Sequence, residues 1–430
     1  MEIEWVNHAS FVVSSRRIRL LTDPWIFGRA FNESWDLLVP SKFSIDDFSR
    51  ITHIWFSHEH PDHFSPSVLS RIPETTRKKI RVLFQQTRNQ RVVSFCKKQG
   101  FGVTELLDGE SLDIAPDFRV TCQNVPFYDS WLAIEAEGKC LLNMNDCVVT
   151  NPAVMRRIKR RFRHVDVLFQ QFSYAGWVTN EDQHEAWKAC AREFAEVILS
   201  HTAEIQPQYI VPFASFVRFC HAENKHMNRH VNRIGDITRL LEQQRIAEPI
   251  VLFPGDKWSP GEPHANAQAL GRYADAQAAP FTPNVSKSIP LADIMQLAGT
   301  YHERMLAKHN RAFVIISSAL GLMPRITFRL SDLKQNVSFD WKNGPQYVSE
   351  AVEPDITLHS DSLAYLFRFD WGLDTLFVSG RFHSDNGGIR KLLRTLALGS
   401  LANIGKRFGP ELIFDVDLLK RAASTLVRWH

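Results

Sequence analysis

Paired cysteines are missing from this sequence. All six cysteines fall between Cys96 and Cys220, with no Cys-x-x-Cys pair and no regular spacing. A disulfide scaffold is thereby disfavoured, and a reducing compartment fits. A surplus of one charge is missing too: 51 Lys and Arg stand against 47 Asp and Glu, and the resulting +4 is too small to argue for nucleic acid. Long apolar runs are also absent. The longest, Ala312 to Met323, has about twelve residues with two serines among them, against roughly 20 needed to cross a bilayer. The opening Met1-Glu2-Ile3-Glu4-Trp5 carries acids where a signal or transit peptide carries Lys or Arg. These absences describe a soluble cytoplasmic protein with no membrane span and no nucleic-acid partner. What is present is bulk: 430 residues, 44% hydrophobic, enough for two or three domains around a large core.

Up to about residue 258 short strand-like runs alternate with helical segments, which predicts a mixed α/β domain over 1–258. Ser10–Val13, Ile18–Leu21, Ile51–Phe56, Arg81–Phe84, Arg119–Gln123, Trp131–Ile134 and Cys140–Asn143 read as strands, as do Val165–Gln170 and Tyr209–Pro212. Asn151-Pro152 reads as an N-cap and first helical residue, opening a helix to about Arg163, and His184–Gln206 reads as a long helix. Residues 259–285, with Pro260, Pro263, Pro280 and Pro283 among Ala, Asn and Gln, read as a linker. A small α+β domain over 286–430 follows. Its expected strands are Ile326–Leu330, Val337–Trp341, Asp355–Leu358 and Leu376–Phe382, with helices from Asp361 and beyond Ile389.

Seventeen histidines are unevenly placed, and three crowd into six positions in Ser57-His58-Glu59-His60-Pro61-Asp62-His63. This stretch follows an apolar strand in a turn closed by Pro61 and Pro66. Such a turn lets His58 and His60 converge on one metal while Asp62 and His63 face a second. Imidazole with carboxylate is the donor set that Zn, Fe or Mn takes when a coordination position must stay open.

His-x-His-x-Asp-His is the signature of the metallo-β-lactamase superfamily, which the sequence resembles over about residues 3–258. Trp5 to Phe11 and Leu21 to Trp25 resemble the start of the branch holding lactonase-like hydrolases and N-acylphosphatidylethanolamine phospholipase D. Leu142 to Cys147 and Ile210 to Phe216, running on to His221, resemble CMP-N-acetylneuraminate hydroxylase. The resemblance implies an αββα sandwich. It implies His58 and His60 as ligands of one metal, Asp62 and His63 of the second, Asp146 as the bridging carboxylate and His221 as the last site-two ligand. Asp146 also ends an apolar strand, where side chains project into a cleft; a helix-capping role ahead of Asn151 is the competing reading. His221 stands near His226 and His230, so a solvated face competes there.

The family places another His between the first motif and the bridging Asp, and this chain has none between His63 and His164. Asp129 is the candidate in its place, with an ordinary turn residue as the alternative. A carboxylate there shifts preference from zinc toward iron or manganese. His8 and Asp23 fall in the family's motifs beside the metals, Asp23 as acceptor from a ligand imidazole and His8 within reach of substrate or ligand.

Two divalent metals, iron favoured, imply an oxygenase hydroxylating a small polar or phosphorylated metabolite; hydrolysis of a phosphoester, lactone or amide is the alternative. The hydroxylase family carries a Rieske cluster on paired Cys and His ligands, and no Cys here is followed two or three positions later by His. An oxygenase of this sequence therefore calls for an external electron donor beside its small-molecule, possibly anionic, substrate. Six Arg or Lys fill eight positions over 156–163, read either as a solvated face or as a site for an anionic substrate, membrane headgroups or nucleic acid, with proximity to Asp146 favouring a phosphate-bearing substrate. The stretch 290–400 is weakly similar to sterol-carrier-protein-like domains, with Phe367, Phe369 and Trp371 candidates for an apolar cavity.

Overall fold

The computed structural model describes residues 1–125, 129–149, 151–385, 387–410 and 412. The chain divides into two compact units, Met1–Asn284 and Val285 onward.

The first unit is built on two seven-stranded sheets. One runs in the order Lys257–Trp258, Glu2–Asn7, Ser10–Ser15, Ile18–Thr22, His53–Phe56, Arg81–Gln85, Gly102–Leu106. The other runs Glu248–Pro249, Tyr209–Phe213, Val167–Gln171, Lys139–Asn143, Ser130–Ala136, Phe118–Asn124, Ser111–Ala115. In each sheet antiparallel hairpins give way to parallel neighbours where helices provide the crossovers. The sheets pack face to face through large apolar side chains: Phe11 of one stacks on Phe169 of the other at 4.3 Å, with Phe213 and Trp5 edge-on beside them. The Ser10–Ser15 strand is apolar on both faces, because Val12 looks outward into a second core with Leu21, Ile54, Phe56 and Val82. Helices Pro66–Arg71 and Arg91–Lys98 contribute Val68, Leu69, Val92 and Cys96 to that outer core. Helices Pro152–Arg161, His184–Ile205 and Ile234–Gln244 bury Met155, Ile158, Ile198, Ile205, Ile237 and Leu241 on the other side. This is the αββα sandwich.

The reading of 259–285 as a linker is corrected. Ala267–Ala278 is a helix whose Tyr273 is fully buried, stacks on Phe216 at 4.4 Å and donates its hydroxyl proton to the Leu252 carbonyl. Alanine-rich composition there serves a helix packed on the sandwich, and the prolines lie outside it.

The second unit carries a five-stranded sheet in the order Gly344–Val348, Gln335–Asp340, Ile326–Leu330, Ile356–Leu358, Phe382–Ser384. The expected strand Leu376–Phe382 is also corrected. Gly372–Ser379 is a helix, with Gly380 in the left-handed region ending it at φ 64° before the strand begins at Phe382. Gly372, Thr375, Leu376 and Ser379 are buried at helical spacing, a period that the run Leu-Phe-Val-Ser conceals. Phe367 packs against Tyr301, Phe328 and Phe339, so it serves as core in this unit. Phe369 and Trp371 stack on each other at 5.2 Å, and Trp371 is exposed.

Candidate metal centre

The His53–Phe56 strand is parallel to its neighbours on both sides, so its C-terminal end opens at the edge of the sandwich. The chain turns there: the amides of His63 and Phe64 donate to the His60 carbonyl, and Pro66 starts the next helix. The turn aims His58, Asp62 and His63 inward, all buried, while His60 stays half-buried. From the other sheet, the Lys139–Asn143 strand delivers Asp146 and the Ser130–Ala136 strand starts just after Asp129.

Two groups of three donor residues result: His8 with Asp62 and His63, and His58 with His63 and Asp146. His63 belongs to both. Its Nε2 lies 3.1 Å from Asp146 Oδ2 and 3.3 Å from Asp62 Oδ2, and its Nδ1 lies 3.1 Å from Asp23 Oδ2. His8 Nε2 lies 3.3 Å from Asp62 Oδ2. Asp129 Oδ1 lies 3.2 Å from His58 Nδ1, and Asp129 is partly exposed. Residues 126–128 of its stretch lie outside the described residues. His60 stacks edge-on with His58 at 4.5 Å and enters neither group. His221 also enters neither group among the described residues. It is buried in a turn in which its amide donates to Asn224 Oδ1 at 2.9 Å, and its Nδ1 lies 3.3 Å from Glu223 Oε2.

Beneath the donors is a layer of polar groups that the sequence did not single out, apart from Asp23. Asp23 accepts from the Ser57 amide and hydroxyl, both at 2.8 Å, and from Asn145 Nδ2 at 3.1 Å. Gln85 and Ser130 both donate to the Ser57 carbonyl, at 2.8 and 2.6 Å. Ser57 and Asn145 adjoin motif residues in sequence, which is the only signal that could have found them. His8, Asp23 and Asn145 hold positive φ, at 34°, 36° and 51°, a conformation that costs about 1 kcal/mol or more for a residue with a Cβ. Three such residues around one centre mark a backbone held by its surroundings.

Electrostatics follow from crowding acids and imidazoles in a buried place. Burial disfavours a charged ring at His63, yet Asp146, Asp62 and Asp23 hold its pKa well above the usual imidazole value. His58 is driven well below that value by burial and by His63 and His60, so it is a neutral imidazole. Burial works against the Asp62 carboxylate, but His63 and His8 bring it well below the ordinary range. Burial pushes Asp23 up, and His63 and Ser57 offset part of the rise. Asp129 is pushed up to about 8 by burial and by the charge of Asp146.

These residues fit a metal. Nε2 of His58 and Oδ1 of both Asp62 and Asp146 are buried without a hydrogen-bond partner among the described residues. Lone pairs left unpaired beside several buried carboxylates call for a cation. His58, His63 and Asp146 bring nitrogen and oxygen donors within reach of one another, as do His8, Asp62 and His63, while Asp129 enters neither group and touches His58.

Comparison with known proteins agrees with this frame. The model of the Beta-lactamase superfamily domain matches residues 2–169. The chain is 25% identical over 243 residues to the cytidine monophosphate-N-acetylneuraminic acid hydroxylase of Danio rerio, covering 52% of this chain and 40% of that protein. It is 26% identical over 189 residues to a Rieske 2Fe-2S iron-sulfur protein of Mycolicibacterium smegmatis, covering 41% and 35%. The chain thus spans less than half the length of these relatives. Among solved structures, the diiron β-hydroxylase CmlA from Streptomyces venezuelae is similar at 17% identity and TM-score 0.43, over 60% of this chain and 53% of that one. Igni18, a metallo hydrolase from Ignicoccus hospitalis, is similar at 16% and 0.43, over 60% and 97%. Among the described residues no helix is long and apolar enough to cross a membrane. Residues 2–169, which carry every proposed donor except His221, are thus similar to the Beta-lactamase superfamily domain.

Proposed function

We propose that the Met1–Asn284 unit is a metal-dependent enzyme with a dinuclear centre, and that it is an iron-dependent oxygenase hydroxylating a small polar or phosphorylated metabolite such as an amino-sugar derivative. The observation that carries the reading is the Asp129 carboxylate, 3.2 Å from the neutral His58 ring. With Asp62 and Asp146 it makes an oxygen-rich donor set, which favours iron or manganese over zinc. The hydroxylases among the relatives support the same choice.

In this reading His58, His60 and Asp129 would hold one ion, Asp62, His63 and His221 would hold the other, and Asp146 would serve both. Bound iron would supply activation of dioxygen at an open position. Asp23 fixes the His63 tautomer by accepting from Nδ1, which leaves the Nε2 lone pair turned toward Asp146 and Asp62. His8, hydrogen-bonded to Asp62, orients that carboxylate and offers its ring to substrate. Electrons come from a separate donor.

The test is protein reconstituted anaerobically with ferrous iron or with zinc, followed by metal analysis and oxygen uptake with a chemical reductant. Retention of iron with reductant-dependent oxygen uptake is expected. Zinc retained at two per chain, no oxygen uptake, and hydrolysis of phosphoester, lactone or amide substrates would replace the oxygenase with a hydrolase.

A further inference from the structure

The helix Pro152–Arg161 carries a charge that nothing in the centre uses. Its apolar stripe, Met155 and Ile158 with Phe162 just beyond, is buried in the sandwich core. Its solvent side presents Arg156, Arg157, Arg160 and Arg161, with Arg163 following, all exposed. No acid occurs in the sequence between Asp146 and Asp166. Among the described residues none of these five arginines makes an ion pair; Arg161 reaches only the Ser111 hydroxyl, at 3.3 Å, and the face of Phe162. Lys159 differs, since it lies half-buried with its Nζ on the Ile205 carbonyl.

The helix is tied to the centre at both ends. It is capped by Asn151, five residues past Asp146, so that end lies within about 18 Å of the Asp146 Cα by chain length alone. Beyond its other end, Phe162 meets Trp131 edge-on at 6.0 Å, and Trp131 stands two residues after Asp129. The arginines therefore lie on a helix whose two ends are linked to the stretches that carry two of the proposed donors, Asp146 and Asp129.

We propose that this arginine face is where an acidic one-electron carrier protein docks to reduce the centre. The inference rests on the oxygenase reading. Hydroxylation converts C–H and dioxygen into C–OH and water, taking up two electrons and two protons; a one-electron carrier of the iron–sulfur kind supplies those electrons in two encounters. Repeated encounters suit a small, charge-steered interface that forms and parts quickly. Guanidinium groups suit carboxylates because each presents a planar, bidentate fork. A lipid surface is a poorer match, because the apolar stripe that an interfacial helix would insert is already in the core.

The test uses the full metal-loaded chain, an acidic plant-type [2Fe–2S] ferredoxin as probe, and dithionite as the small reductant. Wild-type protein should bind ferredoxin at low salt and take electrons from it, with an affinity that falls as salt rises. The triple variant Arg156→Glu, Arg157→Glu, Arg160→Glu should weaken binding by about tenfold or more and flatten the salt dependence. Its circular dichroism and its reduction by dithionite should stay unchanged. A triple Gln variant should fall between the two. Unaltered ferredoxin binding in the Glu variant overturns the docking site, as does binding of heparin, duplex DNA or anionic vesicles as tightly as ferredoxin. Dithionite reduction without any ferredoxin reduction overturns the docking proposal and leaves the oxygenase standing. A centre that dithionite cannot reduce overturns the oxygenase, and the docking proposal with it.

Discussion

His63 turns one ring nitrogen to Asp23, 3.1 Å away, and that carboxylate has no exposed surface. The ring's other nitrogen faces Asp146 and Asp62. The orientation of one imidazole is therefore set from beneath by a group that cannot itself reach an open coordination position.

Asp23→Asn keeps the size of this group and removes half of its accepting capacity. Metal affinity is expected to fall about 10- to 100-fold, the usual cost of losing a carboxylate behind a ligand histidine. Isothermal titration with the metal-free protein measures it. Affinity and metal content equal to wild type would sink the role assigned to Asp23.

Asp129→Ala should lower metal retention at the site that includes His58, and Asp129→His should shift preference toward zinc. Metal analysis after growth in medium holding both iron and zinc reads both effects. An Ala variant with full loading would remove the argument for a carboxylate-rich centre.

Metal uptake should strengthen with pH. Ions bind the deprotonated forms, and without a cation Asp129 holds its proton up to about 8 because of burial and Asp146. His63, held protonated well above the usual imidazole range against burial by its three acidic neighbours, acts in the same direction. Apparent affinity should rise between about pH 6 and about pH 8 and then level, with protons released on binding. Chelator competition across that range checks it, and a flat profile would contradict it.

Phe169→Ala removes a ring stacked on Phe11 at the centre of the seam between the sheets. The void cannot collapse easily between two ordered layers, so a loss of about 3–5 kcal/mol in stability is expected. Denaturant unfolding measures it. A loss below about 1 kcal/mol would mean that the seam repacks.

The candidate donors could be singled out because they are local: His58, His60, Asp62 and His63 occupy one short run after a strand, and Asp146 follows another strand; of these the fold draws His58, Asp62, His63 and Asp146 into the two groups and leaves His60 outside them. Asp129 was singled out because no histidine stands between His63 and His164, and the fold places it beside His58. The supporting layer was not legible, since Ser57, Gln85, Ser130 and Asn145 meet only when both sheets are packed. His221 was singled out by a motif alone; its amide bonds Asn224 and its ring lies beside Glu223, outside both donor groups among the described residues. In the fold, Leu376–Phe382 misled because β-branched and aromatic residues there hide a buried helical stripe. Residues 259–285 misled because prolines flanking a helix look like a linker.

The seam also bears on synthesis. His63 and Asp146 are 83 residues apart in the chain, on opposite sheets. As the protein leaves the ribosome, the histidine cluster emerges well before the carboxylate that completes its surroundings, and meets water with only part of its partners made. Under the proposed dinuclear reading, ion capture would be a late event, coupled to closure of the second sheet on the first, and a chain stalled between the two would expose a loose cluster of imidazoles.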